Sequence, residues 1–281
     1  MRVTIFGASG LLGKALMQEW SGDTVTALRS RDADIRDAKR VQQVVQETNP
    51  EWIVLAAAYT DVDGCESDPE LAFAVNRDGA VNVATAAKEV GARLVFLSSD
   101  YVFDGKKNTP YEIGDARNPQ SVYGRSKAEA EIKLLELMAD CCIARTSWLF
   151  GIGGKCFPDT ILKLAASRPA LDVVNDQRGC PTYAADLARA MVQLCRKNAS
   201  GIVHVTNAGD CTWFEFAQEI VRSAGLATTV RPVSSQQMAR PAPRPAYSVL
   251  SPARRRALGI EMPSWPDALR SYLEQRQRAA S

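Results

Sequence analysis

Tyr123 and Lys127 stand four residues apart in Tyr123-Gly-Arg-Ser-Lys127, a spacing that places both side chains on one face of a helix. A free phenol, with a pKa of about 10, gives up a proton readily to an alkoxide but regains one slowly near neutrality. A neighbouring ammonium stabilises the phenolate and moves that pKa down, toward the range in which acid and base roles are both open. Alone, the pattern also describes a solvated helix face. What gives it weight is Ser98-Ser99-Asp100 at the end of an earlier apolar run. A hydroxyl at the carboxyl edge of a sheet can hydrogen-bond a carbonyl oxygen beside the tyrosine. The expected division of labour has a strand-end serine hydroxyl orient a carbonyl, Tyr123 protonate its oxygen, and Lys127 tune the phenol while bonding the ribose of a nicotinamide.

A hydride donor needs a cradle, and Gly7-Ala-Ser9-Gly10-Leu11-Leu12-Gly13 has the spacing of one. It follows a short apolar strand and opens a helix, so glycines allow a tight bend and close backbone approach while helix amides face a pyrophosphate. The second strand ends at Arg29, where an NAD-selective site would carry an acidic residue. A guanidinium there suits a 2′-phosphate, so NADPH is the expected cofactor and NADH the alternative. Asp34 and Ile35 are expected to flank the adenine, and Ala57, Ala58, Tyr59 and Thr60 to lie along the cofactor, with Ser98, Tyr123 and Lys127 completing its surroundings.

The elements that must position these residues follow from periodicity. Strands are predicted over Val3 to Phe6, Thr24 to Leu28, Ile53 to Ala58, Leu94 to Ser98 and Cys142 to Thr146, and helices over 11–20, 38–48, 70–90 and 122–139. That alternation predicts an α/β protein, a Rossmann-type doubly wound parallel sheet followed by a smaller C-terminal α/β substrate-binding domain. The boundaries expected are 1–147 for the dinucleotide domain and mainly 148–281 for the second, discontinuous one, with segments near 170–200 and 240–250 returning to the first. Beyond 147 the sequence predicts a helix at 157–167, a strand near Val173, a helix at 185–197, a strand over Ile202 to Val205, and a helix capped by Thr212 with Glu215 three residues on. The stretch Arg240 to Pro245 cannot be helix or central strand, because proline lacks the amide donor. The final Arg-Ala-Ala-Ser is expected to fray.

Composition narrows the class. A net charge of +2 over 281 residues gives no general pull toward nucleic acid. The apolar runs fall short of the roughly 20 residues that cross a bilayer, and no signal peptide precedes the first strand. A cytoplasmic protein is expected. Seven scattered cysteines without a Cys-x-x-Cys pair suggest reduced thiols rather than a disulfide framework or zinc site. His204 lies in an apolar strand pattern and reads as structural, and Asp61, Asp63 and Glu66 form no compact ligand pattern, so no metal is assigned.

Longer motifs add a resemblance. Ala56-Ala-Ala-Tyr-Thr-Asp-Val-Asp63, Ser98-Ser-Asp-Tyr-Val-Phe-Asp-Gly105, Tyr123-Gly-Arg-Ser-Lys127, Arg145-Thr-Ser-Trp-Leu-Phe150, Val174-Asn-Asp-Gln-Arg-Gly-Cys-Pro-Thr182 and Arg244-Pro-Ala-Tyr-Ser248 resemble the dTDP-4-dehydrorhamnose reductase family, extended short-chain reductases, over nearly the whole chain. The resemblance implies reduction of the C4 keto group of dTDP-4-dehydro-β-L-rhamnose by NADPH or NADH, with Ser99, Tyr123 and Lys127 catalytic. It also implies that Asp100 and Trp148 contact the deoxysugar together with Ser99 and Tyr123, and that Arg244 lies at the diphosphate. Ser99 stands where threonine is usual, Tyr59 where histidine is frequent, and Arg29 where an acidic residue is frequent. Lacking the glutamate cluster of the family's metal-bridged dimers, the chain is expected to be a monomer, a dimer being the alternative. The rival readings are a reductase of another nucleotide 4-keto-6-deoxysugar, or a non-catalytic NADP-binding subunit resembling the regulatory subunit of methionine adenosyltransferase.

Overall fold

The computed structural model describes residues 1–20 and 22–280. The first half alternates strand and helix: β1 (Arg2–Phe6), α1 (Leu11–Glu19), β2 (Thr24–Leu28), α2 (Ala38–Thr48), β3 (Trp52–Leu55), α3 (Val62–Ser67), α4 (Pro69–Phe73), a π-helical turn at Ala74–Asp78, α5 (Gly79–Glu89), β4 (Arg93–Ser99), α6 (Val122–Leu137) and β5 (Cys142–Thr146). Apolar residues fill consecutive strand positions, as in Trp52–Leu55, all four buried, because helices cover both faces of the sheet.

The second half contributes β6 (Leu149–Phe150), α7 (Phe157–Ala165), β7 (Ala170–Val174), β8 (Arg178–Gly179), β9 (Thr182–Tyr183), α8 (Ala184–Arg196), β10 (Gly201–His204), β11 (Cys211–Thr212), α9 (Trp213–Ser223), β12 (Thr229–Val233), α10 (Ala253–Ala257) and α11 (Trp265–Ala280). The main sheet has six parallel strands in the order β2-β1-β3-β4-β5-β10. Strand order reverses between β1 and β3, the switch point where open α/β sheets bind ligands outside their carboxyl ends. One sheet face packs on Leu12 and Leu16 of α1 and Leu187, Met191 and Leu194 of α8. The other packs on Val41, Val44 and Val45 of α2, Val83 of α5 and Leu134 of α6. A second core joins Phe150, Ile161, Leu171, Phe216, Ile220, Leu269 and Tyr272 from β6, α7, β7, α9 and α11, with β7 paired in parallel to β12.

Several expectations change in detail. The strand expected to reach Ala58 ends at Leu55, freeing Ala56–Ala58 as a loop at the sheet edge. The single helix predicted over 70–90 is interrupted by the π-helical turn, which accommodates the buried Asn76. Of the Arg-Ala-Ala-Ser end expected to fray, α11 continues through Ala280, and Ser281 lies outside the described residues. Thr212 and Glu215 form the reciprocal capping box that their spacing predicts. Among the described residues no helix is long and apolar enough to cross a membrane.

Candidate active site

A cleft of about 520 Å³ lies over the carboxyl ends of β1, β3, β4 and β5, and a second, of about 460 Å³, continues from it past the end of β2. Gly7, Ser9, Gly10, Ala56 and Ala58 line both, so the two form one trough. Its floor is the glycine turn. Gly7 has a φ of +95°, and a Cβ there would lie 2.5 Å from the Ala57 amide nitrogen; a Cβ on Gly13 would strike the Ala8 backbone. Gly10 differs, because a Cβ there would meet only the Gly7 carbonyl, at 3.5 Å. Glycine at 7 and 13 is thus demanded by packing, whereas at 10 it leaves open space in front of α1, whose first turn has no side-chain cap. Those free amides and that gap fit a dinucleotide pyrophosphate.

Ser9, Leu11, Leu12, Ala58 and Thr60 line the first cleft, and Asp34, Ile35, Ala57 and Tyr59 the second. Arg29 lies at the rim: its side chain is exposed and is not among the walls of the second cleft, where Ser30 and Arg36 stand. The chain turns back after Leu28 through hydrogen bonds from the Asp32 and Ala33 amides to the Arg29 carbonyl, which carries the cleft wall past Arg29. Arg36 pairs with Asp34 at 2.5 Å, and that bond holds the Asp34 carboxyl below its usual range.

Ser99, Tyr123 and Lys127 converge at the other end of the trough with Asp100 and Tyr101. Ser99 Oγ donates to Asp100 Oδ1 at 2.9 Å, while Asp100 Oδ2 is buried without a partner. Burial pushes the Asp100 carboxyl up to about 6, opposed by the hydroxyls of Ser248 and Ser99. The Tyr123 ring meets Tyr101 edge-on at 5.5 Å. Lys127 is 2% exposed, with Nζ 4.1 Å above the Phe96 ring centroid.

The expected lowering of the Tyr123 pKa is reversed. Burial raises the phenol, opposed by hydrogen bonding with Ser99 and reinforced by Asp100. Lys127 is itself pushed down to about 7 by burial, with the Glu131 charge opposing. The physical reason is common to both: removing either residue from water disfavours its charged form. The site therefore holds a neutral phenol, suited to donating a proton.

The Lys127 shift has a stability consequence. A lysine titrating near 7 when folded and near 10.4 when unfolded binds fewer protons folded than unfolded between those values, so stability rises with pH across that window. Below 7 both states are charged and the full cost of the buried ammonium is felt. Lys127→Met is accordingly expected to raise Tm more at pH 6 than at pH 10 while reducing turnover. An equal Tm change at both pH values would contradict the reading.

Three connections behind the site were not visible in any spacing. Asn76, 1% exposed, exchanges hydrogen bonds with the Tyr59 backbone at 2.8 and 3.0 Å and donates to Ser126 Oγ at 3.0 Å. Ser126 in turn donates to the Tyr123 carbonyl, so the end of β3 is tied to α6. Glu66 accepts from the Val122 amide at 2.7 Å, and Ser121 caps α6 through Gly124. Glu131, one turn beyond Lys127, accepts from Ser98 Oγ at 2.5 Å, from Arg145 at 2.6 and 2.9 Å and from Arg117 at 2.6 Å. Ser98 was expected at the cofactor; it lines the cleft, but its hydroxyl is engaged with Glu131. His204 lies against Arg145 at 3.4 Å, and burial pushes it down to about 3.

A third pocket, of about 370 Å³, opens beside the catalytic end, with Tyr101 in the walls of both. Trp148 lines the catalytic cleft at a φ of +47°, and its indole stacks on Trp213 at 3.5 Å. Trp213, absent from the sequence reading, lines the third pocket. A Cβ on Gly179 would lie 2.6 Å from the Trp148 indole, so glycine there admits the ring. Arg244 lines the third pocket rather than the catalytic cleft, alongside Arg240, which the sequence reading did not single out.

A glycine turn under a trough, with serine, tyrosine and lysine at its far end on a doubly wound parallel sheet, is the arrangement of the extended short-chain dehydrogenase/reductases. The family model described as "RmlD substrate binding domain" matches residues 1–278. The chain is 41% identical to a dTDP-4-dehydrorhamnose reductase of Streptomyces griseus over 95% of this chain and 91% of that protein. A dTDP-4-dehydrorhamnose reductase from Clostridium acetobutylicum superposes with a TM-score of 0.96 at 36% identity, covering 99% of this chain and all of that one. One from Bacillus anthracis, solved in complex with NADP, superposes with a TM-score of 0.95 at 40% identity, covering 98% and 99%. The chain belongs to the dTDP-4-dehydrorhamnose reductase family.

Proposed function

We propose that this protein reduces the C4 keto group of dTDP-4-dehydro-β-L-rhamnose to give dTDP-L-rhamnose, with NADPH or NADH as reductant. The observation that carries the reading is the convergence of Ser99, Tyr123 and Lys127 at the far end of a trough whose floor is the glycine turn. Residues 1–147, with the later segments that return to them such as α8 and β10, serve as the dinucleotide domain, and the second core mainly as the sugar-nucleotide domain. Gly7, Gly10 and Gly13 hold the pyrophosphate of the dinucleotide, and Asp34, Ile35, Ala57 and Tyr59 its adenosine end. The reduced nicotinamide, when bound, supplies the hydride that adds to C4.

The remaining chemistry belongs to the chain. Ser99, turning its single hydroxyl proton from Asp100 Oδ1 to the carbonyl oxygen when substrate binds, fixes the direction of that oxygen. Tyr123, neutral through burial, gives its proton to that oxygen as negative charge develops on it. Lys127, one turn further along α6, offsets the phenolate that results. Asp100 and Trp148 border the hexose and Arg244 the diphosphate. The protein acts as a cytoplasmic monomer. Incubation with the 4-keto sugar nucleotide should consume NADPH or NADH in proportion to substrate; no oxidation of either, where a reference reductase consumes them, would contradict the proposal.

A further inference from the structure

Asp63, in the first turn of α3, is where the proline-bracketed strap near the end of the chain meets the first half of the molecule. Its Oδ1 accepts from Arg244 Nη1 at 2.5 Å and from the Ala242 amide at 3.1 Å; its Oδ2 accepts from Arg244 Nη2 at 2.9 Å and from Arg240 Nη1 at 3.3 Å. One carboxylate thus gathers three strap residues about 180 positions away in sequence. On one side the strap is fixed by Ser235, bonded to Asp176. On the other, the Tyr247 amide donates to the Gly105 carbonyl at 3.2 Å and the Arg178 amide to the Ala246 carbonyl at 2.8 Å. Asp63 is the attachment between them.

The charges do not cancel. Arg240 and Arg244 bring two positive charges to a single carboxylate, and both line the third pocket. Asp172 also lines that pocket, but its carboxylate is paired with Arg231 at 2.7 Å. Of five N–H donors on a guanidinium, Arg240 uses one on Asp63. An excess positive charge with open donors therefore faces the pocket. Long arginine side chains lose rotamer freedom when they clamp a ligand, and holding them beforehand reduces that loss.

We propose that Asp63 is the positioning residue of a diphosphate clamp, presenting Arg240 and Arg244 together to the diphosphate of a sugar nucleotide in the third pocket. The inference rests on the sugar-nucleotide reading above and adds to it the carboxylate that sets the clamp and Arg240 as its second arm. Pre-organisation and competition predict opposite signs. If Asp63 holds the arginines ready, removing its charge weakens anion binding; if it competes for them, removal strengthens binding.

The test is calorimetric titration of the full-length protein and its Asp63→Asn variant with dTDP, UDP and inorganic pyrophosphate, with NADPH titrated separately as a probe of the other cleft. Asp63→Asn is expected to weaken the diphosphates about tenfold or more and to raise KM for the sugar nucleotide similarly, with kcat within about threefold and NADPH affinity within about twofold. Asp63→Glu, which keeps the charge, should recover most of the affinity. Unchanged or tighter diphosphate binding by Asp63→Asn overturns the proposal, as does a parallel loss of NADPH affinity, which marks a merely structural role. Should Asp63→Asn fail to fold, Arg240→Gln, which leaves the Asp63–Arg244 pair intact, should weaken the diphosphates about three- to tenfold, and no change overturns the clamp. Wild-type protein that binds UDP but not dTDP would remove the thymidine from the functional reading while UDP still decides the role of Asp63. Binding of no diphosphate at all would overturn both.

Discussion

Tyr123→Phe is expected to lower kcat by about 10² to 10⁴ while leaving NADPH affinity within about twofold. The phenol lines the cleft and is kept neutral by its surroundings: burial raises its pKa, and Asp100 raises it further. Phenylalanine keeps the ring and its edge-on contact with Tyr101 at 5.5 Å but has no proton to give. The loss should therefore appear in kcat, with KM for the sugar nucleotide little altered. Steady-state kinetics together with NADPH titration separate the two effects. A variant that keeps its kcat would remove Tyr123 from the chemistry, and one that loses NADPH binding as well would recast it as a cofactor contact.

Glu131→Ala is expected to be the most destabilising substitution near the site. Glu131 is fully buried and satisfies Arg145, also fully buried, together with Arg117 and Ser98. Removing the carboxylate leaves the Arg145 guanidinium enclosed beside a neutral His204 and over the Phe103 ring. Breaking one partner of a buried pair costs about 3–5 kcal/mol, which for a chain of this size lowers Tm by about 10 °C. Because Glu131 also opposes the downward shift of Lys127, the variant that remains folded should lose activity more steeply as pH rises toward 8. A Tm within about 2 °C of wild type would show that the network does not carry the stability assigned to it.

How far these features could be read in advance depended on whether they were local. β1, β2 and β5 follow from apolar runs between turn residues, and the glycine turn from its place between β1 and α1. Tyr123 and Lys127 share a helix, so their proximity is a matter of period. A serine hydroxyl is placed by the end of a strand, and the family resemblance picks Ser99 over Ser98. By contrast, Glu131 gains meaning only when α6 packs against β4 and β5 and brings it to Ser98 and Arg145, residues opposite each other in the parallel ladder. In the sequence it is one more acidic residue in a charged helix. Asn76 is similar: its role depends on a π-helical turn that no propensity distinguishes from an ordinary helix. Arg36 was not legible for a local reason, since the turn after β2 brings Ser30 and Arg36, as well as the predicted Asp34 and Ile35, to the cleft wall. Trp213 and Asp63 act over long sequence separations, their partners Trp148 and Arg244 lying 65 and 181 positions away. The expected downward shift of Tyr123 also reversed, because proximity on a helix gives a charge's position but not the burial that outweighs it.

The central claim is hydride addition at C4 with the proton taken from the protein, and it is tested most directly with NADPH carrying deuterium at the transferring position. With dTDP-4-dehydro-β-L-rhamnose as substrate, the sugar nucleotide formed should contain one deuterium, at C4 of the hexose, and Tyr123→Phe should form it far more slowly. A product without deuterium, or with deuterium at another carbon, would contradict the account.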